Sequence, residues 1–290
     1  MKPPRESTLC LHRVSELPLD LTHPVYAHYT TVKLGVAASV DYYARLLAPL
    51  VERAIATDPD CRDWVLTAPA YDALPAAANL LCEAVHDLVR GALPPATGLD
   101  RVDIRQRPVD PGHWEVRRSD QYSKLGWRER RRSRAYWHSL LIDQPAFAGR
   151  AVIFVNDINV SGAQRDGMRD WFAGIGAASV TWVYIVDVDE AIGRAEPQIE
   201  YAINKSTPLS VEQLADILQD PGLRLTSKGV GDLLSLDDAD LGRLLALLDE
   251  AGREKLLRQA KADGRYAAPR FAPKLELLTR ACGRLVVPGT

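Results

Sequence analysis

The residues best placed to do chemistry follow an apolar run in the middle of the chain, Ala151–Val155. They are Asn156, Asp157, Ser161, Gly162, Ala163 and Gln164. A short loop that ends a buried strand and opens a helix presents backbone amides and a partial positive charge to an anion. Ser161 adds a hydroxyl donor, and Gly162 lets the backbone approach a phosphate closely. The spacing therefore predicts a phosphate-binding turn, with Asp157 at the end of a strand, where α/β proteins bind ligands.

The segments around this turn alternate between strand and helix. Short apolar runs predict strands at 64–67, 102–104, 151–155 and 179–186. Apolar residues at three- and four-residue steps predict helices at 39–55, 74–89 and 162–172. This alternation predicts an α/β fold with a central, mostly parallel sheet flanked by helices.

The chain divides into three predicted regions. Residues 1–22 are expected to form a loose N-terminal arm, and 23–205 an α/β core. Residues 206–290 are expected to be helical, with helices at 211–218, 238–248 and 253–262 and strand character only at 284–287. Ser210 is predicted to cap the first of these helices together with Gln213.

The turn after Val155 resembles the motif with which type I phosphoribosyltransferases bind 5-phosphoribosyl-1-pyrophosphate (PRPP). That motif is an apolar strand, two acidic residues, a spacer and Thr/Ser-Gly-x-Thr. By position, the resemblance implies that Asn156 and Asp157 face the ribose, and that Asp157 has a catalytic role in favouring positive charge at C1′. It implies that the 5′-phosphate is held by Ser161, Gly162, Ala163 and Gln164. Two residues depart from the motif, because Asn156 stands where an acid is usual and Gln164 where Thr is usual.

Two further segments fall in the order of the same family. Tyr29–Gly35 resembles its lysine-containing N-terminal segment, which implies that Lys33 binds pyrophosphate or nucleotide, with a solvated lysine as the alternative. Trp64–Tyr71 lies at the position of the pyrophosphate loop. The residues implied there are Thr67, Ala68 and Tyr71. The basic residue usual in that loop is missing, and an ordinary strand-to-helix turn is the alternative.

A basic stretch between Glu115 and Arg134 carries a local charge of +5. It resembles the mobile loop of the family, in which Arg and Lys neutralise the charge that develops on leaving pyrophosphate. The resemblance implies catalytic roles for Lys124 and Arg128, with Lys124 also contacting pyrophosphate. A solvated helix face is one alternative. A nucleic-acid patch is another, which the formal net charge of −2 disfavours.

Composition excludes several other classes of protein. The 290 residues are 47% hydrophobic, which suits one large domain or two small ones with a true core. The four cysteines include no C-x-x-C pair, so neither a zinc site nor a disulfide framework is predicted. The sequence contains no signal-peptide pattern and no apolar run long enough to span a membrane. We therefore predict a cytoplasmic protein with no membrane association.

The resemblance implies a Mg²⁺-dependent phosphoribosyltransferase that moves the phosphoribosyl group of PRPP to an unidentified base-like acceptor and releases pyrophosphate. Mg²⁺ would be held through PRPP, with Asp157 as the candidate protein ligand. The alternatives are a non-catalytic regulator that binds PRPP or a nucleotide, and a protein that keeps only the fold. The chain most resembles divergent bacterial members found in stress-response operons of the tellurium-resistance type. A homodimer is left open.

The acceptor pocket is the least specified part of the prediction. In the family, a hood of segments outside the core selects the acceptor, which implies that residues 23–35 and 206–290 contribute. The polar and aromatic candidates are Asn204, Lys228, Arg265 and Tyr266. Structural roles are the more usual explanation for single residues of these types.

Overall fold

The computed structural model describes residues 4–106, 140–141, 143–196 and 198–283, and centres on a five-stranded sheet. The strands are β1 (Arg5–Val14), β2 (Asp63–Thr67), β3 (Gly98–Arg101), β4 (Arg105–Gln106), β5 (Leu140–Leu141), β6 (Ala151–Asn159) and β7 (Ser179–Val188). The sheet has the order β1-β7-β6-β2-β3, and every neighbouring pair is parallel. β4 and β5 form a separate antiparallel pair. The predicted α/β class with a parallel sheet is confirmed.

Helices cover both faces of the sheet. They are α1 (Tyr29–Leu34), α2 (Ala37–Ala56), α3 (Ala77–Ala92), α4 (Ala163–Gly174), α5 (Glu190–Ala195), α6 (Ile199–Asn204), α7 (Val211–Gln219), α8 (Ser227–Leu234), α9 (Asp238–Leu247), α10 (Glu250–Ala262) and α11 (Ala272–Gly283). On one face, Leu47 of α2 and Leu81 of α3 share a core with Val155 of β6. On the other face, Phe172 of α4 packs with Phe154. Within the described residues, no helix has the length and apolar character needed to cross a membrane.

The topology of the sheet creates a crevice between β2 and β6. From β2 the chain continues through α3 to β3 on one side, and from β6 it continues through α4 to β7 on the other. Thr67 pairs with Phe154, so the loop after β2 lies beside the loop after β6. Such a switch point, at the carboxyl ends of parallel strands, is where open α/β sheets bind ligands.

The expectation of a loose N-terminal arm is wrong for residues 5–14. They form β1, which pairs along its length with β7, from Arg5 opposite Ser179 to Val14 opposite Val188. The strand lies at the edge of the sheet, where charged residues such as Glu6 and Arg13 are common because only one side is paired. Those charges conceal the alternation in the sequence.

Other boundaries also differ from the sequence prediction. The strand expected at 102–104 lies at Gly98–Arg101 instead, and its glycine makes the sequence look like a loop. The short helices α1, α5 and α6 were not predicted, because six residues give too little periodicity. Helices α8 and α11 lie in the region predicted to be helical but were not predicted individually. The strand character expected at 284–287 falls outside the described residues.

The C-terminal helices form their own apolar core and dock onto the end of α1. The Thr226 amide donates to the Leu34 carbonyl at 3.2 Å, and the Ser227 amide donates to the Pro75 carbonyl at 2.9 Å. Gly35 has φ +93°, and a Cβ atom there would lie 2.0 Å from the carbonyl oxygen of Arg224. Only glycine fits that position, so the helical region is anchored beside the carboxyl edge of the sheet.

Tyr266 anchors the C-terminal helices, and its phenol gives a pH-dependent prediction. The residue is 1% exposed, its hydroxyl donates to the carbonyl oxygen of Ser227, and burial raises the pKa of Tyr266 to about 12. Because the pKa of Tyr266 is about 10 in the unfolded chain and about 12 in the folded protein, its contribution to the free energy of unfolding is fully present below about pH 10 and is lost as pH rises through 12. We expect Tyr266→Phe to cost about 2 kcal/mol at pH 8. We also expect it to flatten the fall in stability above pH 10.

The measurement is urea unfolding of wild type and Tyr266→Phe from pH 8 to 11.5. The loss attributable to a two-unit shift is about 3 kcal/mol in full. Because other buried tyrosines titrate in the same window, only the difference between the two proteins is diagnostic. Parallel curves for the two proteins would contradict the assignment.

Candidate functional site

Asp157 lies at the carboxyl end of β6, and two residues of α1 bind it. The Tyr29 hydroxyl donates to Asp157 Oδ2 at 2.8 Å, and Lys33 makes an ion pair with the same oxygen. Asp157 is 6% exposed. The structure thus brings together two predicted site residues, Lys33 and Asp157, and joins them to each other. Tyr29 was not singled out from the sequence, although its spacing from Lys33 places both on one helix face.

The charge of this network follows from burial and from the neighbouring carboxylates. Burial lowers the pKa of Lys33, but Asp157 and Glu200 outweigh it, so the pKa of Lys33 is raised and the ammonium stays charged. Burial, reinforced by Asp157, holds the pKa of Tyr29 well above its usual value, so the phenol stays a neutral donor. Among the described residues, Asp157 Oδ1 has no hydrogen-bond partner. That oxygen remains for a ligand.

The two departures from the family motif contact each other. Asn156 Nδ2 donates to Gln164 Oε1 at 3.1 Å and to the Ile158 carbonyl at 3.1 Å, and the Asp157 amide donates to Asn156 Oδ1 at 3.0 Å. An Asp at 156 could not donate to the Ile158 carbonyl, and it could pair with Gln164 only through the Nε2 donor of that side chain. The two departures from the motif therefore lie in one hydrogen-bonded pair. It also commits the polar atoms of Asn156 to the turn, and its contact with ribose stays a prediction.

The predicted phosphate-binding turn has the expected backbone. Gly162 adopts φ +73° and opens the twelve-residue helix α4 without a side-chain cap on its first amides. In the described part of the chain, the Ser161 hydroxyl has no hydrogen-bond partner. The turn is buried, with Ser161 3% and Ala163 5% exposed. Its amides have the geometry of an anion site, and a ligand needs the covering residues to move.

Helix α5 covers the turn. A Cβ atom on Gly193 would lie 1.8 Å from the Val160 carbonyl oxygen, so α5 is in backbone contact with the loop. The Glu190 carboxylate lies over Gly162, with Oε1 3.5 Å from the position of a Cβ atom there. Arg165 Nη2 lies 3.5 Å from Glu190 Oε2. An acidic side chain thus stands beside the turn that was predicted to hold phosphate.

Arg165 and Arg194 both bind Glu190. Arg165 belongs to the first turn of α4, and Arg194 donates to Glu190 from within α5. None of these three residues was selected from the sequence. Arg165 follows the motif directly, so its position was available as a signal. Glu190 and Arg194 follow β7, and no local pattern links them to the turn.

The loop after β2 is held by the segment that follows β3. Thr67 Oγ1 donates to the Val102 carbonyl at 2.6 Å, and the Tyr71 hydroxyl donates to Asp103 Oδ2 at 3.2 Å. The Arg105 guanidinium lies 4.0 Å from the centre of the Tyr71 ring. Arg105 therefore places a positive charge beside a loop that has no basic residue of its own. The sequence did not reveal it, because it lies 34 residues downstream of Tyr71.

The other residues predicted for pyrophosphate are only partly placed. Ala68 is 3% exposed, and its backbone follows β2 directly into the crevice. Asn79 fixes the loop, since its Nδ2 donates to the Pro69 carbonyl at 2.8 Å. Lys124 and Arg128 lie outside the described residues.

The residues around Asp157 offer few ligands to a Mg²⁺ ion. The described part of the chain contains no group of three or more His, Cys, Asp or Glu residues arranged to hold a metal. Asp157 offers one carboxylate oxygen, Oδ1, that has no hydrogen-bond partner among the described residues. Mg²⁺ commonly keeps its waters and binds through one or two carboxylates and substrate phosphates. The residues present therefore suit a Mg²⁺ ion carried mainly by a diphosphate ligand.

The four candidates for an acceptor pocket have different surroundings. Lys228 pairs with Asp232 on α8, and Arg265 lies 3.8 Å from the buried Asp263. Tyr266 is an anchor of the helical region, as described above. Asn204 closes α6 and is buried.

Comparison with known proteins identifies a family. A family model described as PRTase ComF-like matches residues 113–278, which is more than half of the chain. No curated protein and no solved structure matches the chain. The matched range contains the turn after β6, helices α4 and α5, and most of the C-terminal helical region.

Proposed function

Since the chain belongs to the ComF-like phosphoribosyltransferase family, we propose that it binds PRPP at the carboxyl ends of β2 and β6 and transfers the phosphoribosyl group. One observation carries the proposal. A turn with left-handed Gly162 opens a twelve-residue helix at the switch point of the sheet, next to Asp157. Backbone amides, a helix N-terminus and a carboxylate in this order suit a sugar that bears a phosphate.

The proposed reaction uses position and charge more than covalent chemistry. The bond from C1′ to the pyrophosphate oxygen breaks, and its electron pair leaves on pyrophosphate. A lone pair of an acceptor nitrogen or carbon forms the new bond to C1′, and the acceptor proton passes to solvent. Asp157 Oδ1 holds a ribose hydroxyl and favours positive charge at C1′. Bound Mg²⁺ supplies neutralising charge at the pyrophosphate.

Basic side chains and backbone amides are proposed to bind the pyrophosphate and the 5′-phosphate. Arg105 lies beside the loop after β2 and can meet pyrophosphate directly. Lys33 can do so only by leaving Asp157, to which it is bound. Lys124 and Arg128 remain proposed for the leaving group. The amides of Ser161–Gln164 are proposed to hold the 5′-phosphate, and in that state Arg165 exchanges Glu190 for phosphate.

Glu190→Gln is expected to increase affinity for PRPP about tenfold. A carboxylate and a phosphate about 5 Å apart repel by about 3 kcal/mol at an effective dielectric constant of 20. The Glu190 side chain is 40% exposed, and solvent reduces that value. The measurement is isothermal titration of PRPP with Mg²⁺. Glu212→Gln is the control, because it removes the same charge from an exposed pair with Arg243. Equal affinities for all three proteins would remove Glu190 from the site.

A second candidate function is binding without catalysis. Three observations favour it: Lys33 neutralises Asp157, the turn is buried, and the amide of Asn156 replaces an acid. In this case PRPP or a nucleotide would bind as a signal, and displacement of Glu190 would alter the position of α5. In this function no acceptor would bind, and no phosphoribosyl group would be transferred.

Two measurements separate the candidates. Titration of PRPP with Mg²⁺ comes first, and an absence of binding would reject both functions and leave a protein that keeps only the fold. Release of pyrophosphate is then followed against a panel of purines, pyrimidines and other nitrogen heterocycles. Release that depends on one acceptor supports the transferase, whereas binding without release on any acceptor supports the regulator.

The proposal also includes a biological role. The resemblance to members found in tellurium-resistance operons suggests a role in a stress response, in the cytoplasm. The test compares growth on tellurite of the parent strain, of a deletion strain, and of the deletion strain that carries the Asp157→Asn gene. Equal growth of these three strains would count against that role.

A further inference from the structure

Asn204 is a buried side chain whose polar atoms have no hydrogen-bond partner in the described part of the chain. It ends α6 and is 5% exposed, and neither Oδ1 nor Nδ2 makes a hydrogen bond within the described residues. Among those residues it is the only side chain with two unpartnered buried polar atoms. Buried amides are nearly always hydrogen-bonded, because removal from water without a partner is unfavourable. Asn204 therefore calls for a partner that the described residues do not supply.

The position of Asn204 connects it with the Asp157 site. Thr30 Oγ1 donates to the Asn204 carbonyl at 3.1 Å and accepts from the Thr207 amide at 3.2 Å. Thr30 lies on α1 between the two residues that bind Asp157. Glu200, one turn before Asn204 in α6, acts on the charge of Lys33. Helix α6 therefore borders the same network that holds Asp157.

A second unpartnered group occurs at the same contact. The Tyr26 hydroxyl is buried and has no hydrogen-bond partner in the described chain, and the Tyr26 carbonyl accepts from Ser206 Oγ at 3.3 Å. The contact between residues 24–34 and 199–207 is thus held by hydrogen bonds between hydroxyl side chains and the backbone, while the side-chain polar atoms of Asn204 and Tyr26 have no partner among the described residues. A contact built only for stability would pair these groups or replace them with apolar ones.

The chemistry of a carboxamide defines what would complete it. Oδ1 accepts and Nδ2 donates side by side, so the complementary ligand presents a donor next to an acceptor. The lactam and amidine edges of nitrogen heterocycles have this arrangement, and Asn pairs with such an edge through two hydrogen bonds. We propose that Asn204 recognises the acceptor of the proposed transfer through a lactam or amidine edge. This inference rests on the proposed function and names the substrate class of that site.

Stability of the free protein gives the first test, with Asn79 as a matched control. Both asparagines are 5% exposed, but Asn79 is fully used: its Oδ1 accepts from the Ala76 amide at 2.8 Å and its Nδ2 donates to the Pro69 carbonyl. Asn204→Leu is expected to raise the midpoint of thermal unfolding, because it removes unpaired polar atoms and keeps the branched shape of the side chain. Asn79→Leu is expected to lower it. A lower midpoint for Asn204→Leu would mean that buried water satisfies the amide, and would overturn the inference.

Ligand binding gives the second test, on the full chain with PRPP and Mg²⁺ titrated first. Uracil and adenine are then titrated as probes with lactam and amidine edges, and pyridine as a probe with neither. We expect Asn204→Leu to bind PRPP within twofold of wild type and to weaken uracil or adenine binding at least tenfold. If leucine prevents folding, Asn204→Ala gives the same comparison. Absence of PRPP binding in wild type would reject the proposed function. Equal heterocycle binding by wild type and variant, including none by either, would reject the role of Asn204.

Discussion

Asp157→Asn is expected to lower the free energy of unfolding by about 3 kcal/mol and to weaken PRPP binding at least tenfold. The variant leaves the Lys33 ammonium, whose side chain is 11% exposed, without its main counter-charge. Removal of one partner from a buried ion pair costs more than the pair contributes, because the remaining charge stays desolvated. Glu200 still offers partial compensation, which places the loss at the lower end of the usual range. Urea unfolding at pH 7 and titration of PRPP measure the two effects.

Two companion variants separate charge burial from ligand binding. Asp41→Asn breaks an exposed pair with Arg45 and should change stability by less than about 0.5 kcal/mol. Lys33→Met in the Asp157→Asn background should recover most of the lost stability, because no unpaired charge remains. PRPP binding should stay weak in that double variant, since the carboxylate is still absent. A double variant that is less stable than Asp157→Asn would contradict the assigned role of the ion pair.

The parts of the fold that the sequence predicted are those whose apolar residues repeat without interruption. β6 and β7 are buried on both faces, so they appear as continuous apolar runs. The start of α7 was also predicted correctly. Ser210 Oγ accepts from the Gln213 amide at 3.2 Å, and Gln213 Oε1 accepts from the Ser210 amide at 2.8 Å. In each case the signal is local, and tertiary contacts reinforce it.

The parts that the sequence did not predict depend on contacts between distant segments. Asn156 and Gln164 look like two separate losses of function until their hydrogen bond is seen. The cover formed by α5 depends on Gly193 meeting Val160, and a lone glycine in a polar segment carries no such information. The Lys33–Asp157 pair joins two residues that the family pattern assigns to different parts of PRPP. Sequence reasoning located the turn and could not predict what lies over it.

Glycine at position 193 is the requirement that most directly ties the turn to α5. A Cβ atom there would lie 1.8 Å from the Val160 carbonyl oxygen, and backbone cannot yield as a flexible side chain does. Gly193→Ala should therefore destabilise the protein by about 3 kcal/mol, or move α5 away from the turn at a smaller cost. Gly174→Ala is the matched control, since this glycine of α4 has nothing within 4 Å of an added Cβ atom. It should stabilise by about 0.5 kcal/mol.

Hydrogen exchange distinguishes the two ways in which Gly193→Ala can act. Global destabilisation speeds the exchange of every slowly exchanging core amide, including those of β6. Displacement of α5 alone speeds exchange only at the turn, in residues 160–165, and leaves β6 unchanged. The second pattern, with tighter PRPP binding, would identify α5 and Glu190 as a cover that ligand must displace. If Gly193→Ala were as stable as Gly174→Ala, helix α5 would not be in close backbone contact with Val160, and the proposed cover over the turn would be rejected.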